Sequence, residues 1–163
     1  MIRIDIPATS ANLGSGFDSL GIALTMCNRV WMEEADELKI TTTDKIKVPT
    51  DETNLIYWAA RHLYQICGKT LPGLHIIQEN NIPMARGLGS SSACIVAGIL
   101  GANRMLGSPM SQSDLINLAA QIEGHPDNTS PAISGGLVAS AMEGKRVYSV
   151  SVPVSGKISF AVM

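Results

Sequence analysis

Strand-like alternation lies at both ends of this 163-residue chain and helical spacing lies between them, an order that favours α+β over a regular βαβ series. "IRIDIPA" alternates apolar and polar side chains at the start, and "LGIALTMCNRVWMEEA" predicts a second strand with a turn into a third. "ELKITTT" is a further short strand. From Asn54, "NLIYWAARHLYQICG" spaces Leu55, Ala59, Leu63 and Ile66 as a helix does, with Gly68 as its stop. "GLHIIQENNIP" returns to strand, "SACIVAGILGANRML" is a helix, and "MSQSDLINLAAQIEG" is another, capped by Ser111 or Ser113. "SGGLVASAMEGKRVYSVSV" reads as a hairpin turning at "EGK", and "KISFAVM" as a last strand. A chain that stops in such a segment, with nothing polar to finish it, predicts a natural protein that continues beyond Met163.

The stretch "RGLGSSSACIVAG", residues 86–98, sets two glycines and three serines directly before an apolar helix. A helix N-terminus carries four backbone N–H groups without intrahelical partners, and the helix dipole adds partial positive charge there. Glycines admit a ligand close to the backbone and serines add hydroxyl donors, a combination suited to phosphate. The loop is not a Walker A sequence, since no Lys follows its second glycine at the required place. It is not the dinucleotide GxGxxG either, since Ser92 stands where the third glycine belongs. On the loop alone, a helix cap with a flexible approach explains it as well as a phosphate does.

Two other polar clusters stand out. "PATSANLGSGFDSLG" (7–21) is rich in small residues and carries Asn12 and Asp18, either a loop packed around a ligand with an ammonium or hydroxyl, or an Asx-rich turn. "EGHPDNTSPAISGG" (123–136) gathers Glu123, His125, Asp127 and Asn128 at a helix end. A carboxylate near bound phosphates commonly holds Mg²⁺, and imidazole binds a carboxylate or positions a hydroxyl. The alternative is that His125 and Asp127 only cap the preceding helix. Ser, His and Asp together also admit a serine hydrolase, but the chain has no GxSxG elbow, and three neighbouring serines are redundant for one nucleophile.

Composition narrows the classes. A formal charge of −2 argues against nucleic acid as a partner. No apolar stretch approaches the roughly 20 residues of a membrane helix, and the N-terminus lacks a signal-peptide core. Cys27, Cys67 and Cys94 are far apart and odd in number, as in a cytoplasmic protein with reduced thiols. The "NTS" at Asn128 is then an accidental sequon.

The three stretches together resemble the GHMP kinases, named for galactokinase, homoserine kinase, mevalonate kinase and phosphomevalonate kinase. "PMARGLGSSSA" (83–93) is similar to the family's central ATP-binding motif, and "PATSANLGSGFDSLGIAL" and "EGHPDNTSPAISGG" to segments of its homoserine-phosphorylating members. The resemblance implies ATP-dependent phosphorylation of the L-homoserine hydroxyl to O-phospho-L-homoserine, a step toward threonine. It implies an α+β fold of the ribosomal protein S5 domain 2-like kind, a mixed sheet packed against helices with a left-handed βαβ crossover. Residues 1–163 correspond to the N-terminal, ATP-binding domain. The C-terminal domain, in which the resemblance implies arginines that clamp the substrate carboxylate, is absent from this sequence, and turnover is expected to need both domains. A homodimer is compatible with the resemblance.

Carried over by position, Pro83, Arg86, Gly87, Leu88, Gly89, Ser90, Ser91, Ser92 and Ala93 bind ATP, with Asn54 at the adenine. Glu123 and Ser91 hold Mg²⁺. Asn12, Asp18 and His125 bind homoserine, and Asn128 lies near the transferring phosphoryl group. Some relatives use an aspartate as base near the Asn128 position; an amide takes no proton, and positioning and charge neutralisation have to supply most of the rate. Thr129 and Ser130 depart mildly from the small apolar residues more common there.

Overall fold

Strand β2 (Leu20–Glu34) is the spine of a six-stranded sheet and pairs directly with three of the other strands. The computed structural model describes residues 1–159. Along one edge β2 pairs antiparallel with β1 (Ile2–Ala11). Along the other it pairs antiparallel with β4 (Leu74–Glu79) through Arg29–Glu34 and with β5 (Leu137–Glu143) through Leu20–Ile22. Strand β3 (Lys39–Thr42) runs parallel to β4, and β6 (Arg146–Val152) closes a hairpin with β5. The β3–α1–β4 segment is thus a βαβ unit whose two strands are direct neighbours.

No turn divides residues 20–34, contrary to the sequence reading. Pro7 pairs with Cys27 but Thr9 with Ala23, so Ala8 faces the three residues Leu24–Met26. The surplus is absorbed as a bulge while β1 holds both halves of the strand. The slip also leaves Ala8 and Thr9 buried in succession, which turns the Thr9 hydroxyl inward.

Alternation on the longer strands sorts the two faces. Ile6, Val30, Met32, Ile40, Leu74 and Ile76 are buried, whereas Arg3, Asp5, Arg29 and Glu79 lie on the other face as the pairs Arg3–Asp5 and Arg29–Glu79. Against the apolar face pack α1 (Leu55–Ile66) and α2 (Ser90–Met105), joined by Ala59, Ala60, Leu63, Ile95, Val96 and Ile99 in one core. Helix α1 begins where expected because Asn54 Oδ1 accepts from the Ile56 and Tyr57 N–H groups. Helix α3 (Gln112–Glu123) starts at Ser111, which with Asp114 forms a capping box, and ends at Gly124. A short helix, α4 (Thr129–Ser134), was not anticipated; it lies within the third polar cluster. The last strand was expected over residues 157–163: Lys157 to Ser159 lie in a turn and irregular chain instead, with Ile158 N–H donating to Ser155 O, and residues 160–163 lie outside those described. Among the described residues no helix is long and apolar enough to cross a membrane, and all three cysteines are free.

Candidate active site

The glycine–serine loop ends in a left-handed residue rather than a capping side chain. Gly89, the N-cap of α2, has φ 65° and makes no side-chain cap hydrogen bond. A Cβ at Gly89 would lie 2.0 Å from Thr9 Oγ1 and 3.1 Å from Asn128 Oδ1, so only glycine lets the loop sit this close to its neighbours. The loop is also pinned through its backbone, Thr9 N–H donating to the Leu88 carbonyl at 3.1 Å. Among the described residues, none of the six backbone N–H groups from Gly87 to Ser92 donates a hydrogen bond. Ala93 is different: its N–H donates to Gly89 O at 2.8 Å and its side chain belongs to the core, so it offers a ligand no free group. Pro83, Arg86 and Gly87 are exposed on the approach, Leu88 packs on the core, and Ser90 is half-buried.

Glu123, the last residue of α3, accepts a hydrogen bond from Ser92 Oγ at 2.9 Å. Ser92 is buried, whereas Ser91, the serine favoured from the sequence, is exposed and lines a different wall. That wall encloses an apolar cavity of about 290 Å³ that also takes in Val48, Pro49, Leu55 and Met84. Asn54 borders it too, but its side chain is committed elsewhere: Oδ1 caps α1 and Nδ2 donates to Pro49 O at 2.9 Å. Cys94, at the same wall, has its thiol pushed up to about 11 by burial and by the nearby Glu123 charge, so it stays a thiol and is no nucleophile.

The 125–128 turn is a chain of polar contacts rather than a helix cap. His125 Nδ1 meets Asp127 Oδ1 at 2.5 Å, Asn128 Nδ2 donates to the same oxygen at 3.2 Å, and Thr9 Oγ1 donates to Asn128 Oδ1 at 2.7 Å. Asp127 is 1% exposed while His125 is partly open to solvent. Neither caps α3, which ends on Gly124. No serine hydroxyl bonds to His125 among the described residues, which removes the hydrolase arrangement. Gly21 seats the turn: a Cβ there would lie 1.8 Å from Asp127 O.

Thr9 and Gly21 bracket the first polar loop, and both touch this turn, so the 12–18 segment is anchored beside it at both ends. Asn12 and Asp18 are both left-handed, with φ 57° and 52°, and Asn12 Oδ1 accepts from Asp18 N–H at 2.9 Å. The exposed Asp18 carboxylate has no hydrogen bond or ion pair among the described residues, nor does either side chain bond directly to the 125–128 turn.

Thr9 is the residue sequence reasoning passed over. Its role depends on a partner 119 positions away, a separation that no local pattern encodes. For metal, no group of three or more His, Cys, Asp or Glu is clustered among the described residues. Glu123 with the Ser92 hydroxyl is a hard-oxygen pair of the kind Mg²⁺ shares with phosphates, so the donor chemistry fits that ion.

Comparison with known proteins gives the family and the fold. A family model described as the GHMP kinases N terminal domain matches residues 54–136. A homoserine kinase of Clostridium botulinum (strain 657 / Type Ba4) is 44% identical over 165 residues, covering 100% of this chain and 54% of the relative. The crystal structure of homoserine kinase from Cytophaga hutchinsonii superposes with a TM-score of 0.81 at 31% identity, covering 94% of this chain and 52% of that one. Mevalonate kinase of Methanococcus jannaschii, at 15% identity and a TM-score of 0.70 over 94% of this chain and 56% of that one, shares the fold. The chain therefore spans about half the length of the curated relatives it matches. Its mixed sheet packed against helices is the ribosomal protein S5 domain 2-like fold of these kinases. The matched stretch from Asn54 to Gly136 takes in the loop at Gly87–Ser92 and the cluster around Asn128, and the chain belongs to the GHMP kinase family.

Proposed function

We propose that this chain is the N-terminal, ATP-binding half of a homoserine kinase, which transfers the γ-phosphoryl group of ATP to the side-chain hydroxyl of L-homoserine and releases ADP and O-phospho-L-homoserine. The observation that carries the reading is the row of six backbone N–H groups, Gly87 to Ser92, without acceptors among the described residues at the start of a sixteen-residue helix. A polyanion satisfies all of them and meets the positive end of the helix dipole. The apolar cavity beside Ser91 then takes the adenine, with Asn54 shaping its wall through Pro49 and α1 rather than reading the base.

Glu123 and Ser92 would hold Mg²⁺, which when bound neutralises phosphate charge. Asn128, beside Gly89, faces the reacting groups. Its amide takes no proton, so positioning and charge neutralisation carry the rate, as phosphoryl transfer permits. Asp18 receives the substrate ammonium with Asn12 beside it, and His125 presents its outer ring edge to the substrate. The substrate carboxylate is left to the C-terminal half.

An ADP-release assay comparing homoserine, mevalonate and galactose tests the reading; release that depends on homoserine is expected. A nucleotide-binding module would instead bind ATP without transfer to any of the three. A second measurement addresses substrate choice. Asn adopts the left-handed conformation of position 18 readily, so Asp18→Asn changes charge without disturbing the backbone. Loss of one charge-assisted hydrogen bond is expected to raise the KM for homoserine about tenfold or more, with ATP affinity nearly unchanged. Equal losses for both substrates would make Asp18 a folding residue.

A further inference from the structure

The Asn128 amide is held at both ends, by two residues to which the kinase reading above gives no part in the reaction. Thr9 Oγ1 donates to Oδ1 at 2.7 Å, and Nδ2 donates to Asp127 Oδ1 at 3.2 Å. The two ends are not interchangeable. The amide turns its NH₂ toward a carboxylate oxygen that accepts from it and its own oxygen toward a hydroxyl that donates to it, so a flipped amide would set its oxygen against the Asp127 oxygen. Both holders are fixed in turn. Thr9 and Asp127 are each 1% exposed; Thr9 N–H is tied to the Leu88 carbonyl, and Asp127 is engaged by His125 at 2.5 Å while its own carbonyl lies against Gly21. As the N-cap of α4, Asn128 would ordinarily spend its side chain on that helix, yet it makes no cap hydrogen bond.

We propose that Thr9 and Asp127 are positioning residues of the phosphoryl-transfer site, which together fix the way the Asn128 amide faces. One N–H and one lone pair of that amide then stay free for substrate or phosphoryl oxygens. Thr9 adds a coupling. It touches the nucleotide loop at Leu88 and Gly89 and the amide at Oδ1, so the loop and Asn128 keep one relative geometry. Asp127 acts here as the acceptor shared by His125 and Asn128, not as a base. The inference rests on the kinase reading, and its test is divided accordingly.

Thr9→Val keeps the shape of the side chain and removes only the hydroxyl. In the full-length protein it is expected to lower kcat about tenfold to a hundredfold with the KM for ATP within about twofold, since misplacement of a reacting group acts on the chemical step. Thr9→Ser, which restores the hydroxyl, is expected to recover most of that loss. In the 163-residue chain alone, hydrogen exchange of the Asn128 side-chain amide, followed by NMR, is expected to be slow in the parent and distinctly faster in Thr9→Val. A Thr9→Val protein with parental kcat, equal impairment by Val and Ser, or amide exchange insensitive to Thr9→Val would each overturn the assignment. The exchange arm needs no substrate. If no phosphoryl transfer is found with any acceptor, the kinase reading fails, and this arm decides the clamp by itself.

Discussion

Gly89→Val is expected to abolish the protection that ATP with Mg²⁺ gives against thermal unfolding. Two effects act together at this position. Its φ of 65° lies where a β-branched residue is strained, at a cost of roughly 1–3 kcal/mol. Its new Cβ would lie 2.0 Å from Thr9 Oγ1, so the loop or strand β1 has to shift and carries the loop's backbone N–H groups with it. The variant starts less stable, so the informative quantity is the nucleotide-induced change in Tm, not Tm itself. At a hundredfold excess over Kd a bound ligand adds about 2.7 kcal/mol, a shift of several degrees that the variant should lack. Gly87→Ala is the internal comparison. Its φ is 69° but nothing lies within 4 Å of the added Cβ, so it carries strain without the clash and should keep part of the protection. Full protection in Gly89→Val would place the phosphates elsewhere.

The helices were legible because their signals are local. Asn54 before "LIYWAA" and Ser111 three residues before Asp114 are caps that act within one turn. The sequence reading set Ser91 beside Glu123, although helical periodicity points to Ser92 as the serine that faces inward. Ser92, Ile95, Val96 and Ile99 share one helical face and all are buried, which directs Ser92 inward to Glu123 and leaves Ser91 outside. Strand β2 misled because its bulge at Leu24–Met26 interrupts the alternation as a turn does, and only pairing with β1 across the interruption reveals one strand. Helix α4 escaped notice because six residues containing Pro131 carry too little periodicity to register, and its N-cap side chain is used elsewhere. The contacts that assemble the site are of another kind. Thr9 with Asn128, Gly21 with Asp127 and Ser92 with Glu123 join segments far apart in sequence, brought together only by the packing of α2, α3 and α4 on one another and on β1 and β2.

Glu123→Gln is expected to leave the fold intact and remove most of the phosphoryl transfer. The carboxylate ends α3, where the dipole presents partial negative charge, so the residue is unfavourable to its own helix by a few tenths to about 1 kcal/mol. Among the described residues its side chain has one hydrogen bond, accepted from Ser92 Oγ, and a glutamine oxygen still accepts from that hydroxyl. Neither helix stability nor hydrogen bonding therefore demands a charge at this position, whereas a cation shared with bound phosphates does. Without metal, the variant should melt at or slightly above the parent. With metal, kcat should fall about a hundredfold or more, because each tenfold is about 1.4 kcal/mol of barrier and a bound cation supplies several. Titration with Mg²⁺ separates this from a general loss: nucleotide affinity should depend less steeply on the metal in the variant than in the parent. If Glu123→Gln unfolds, the charge supports the junction of α3 with the loop. If it keeps its activity at ordinary Mg²⁺ concentrations, the metal is held by other oxygens and the Ser92–Glu123 pair is a structural contact between α2 and α3.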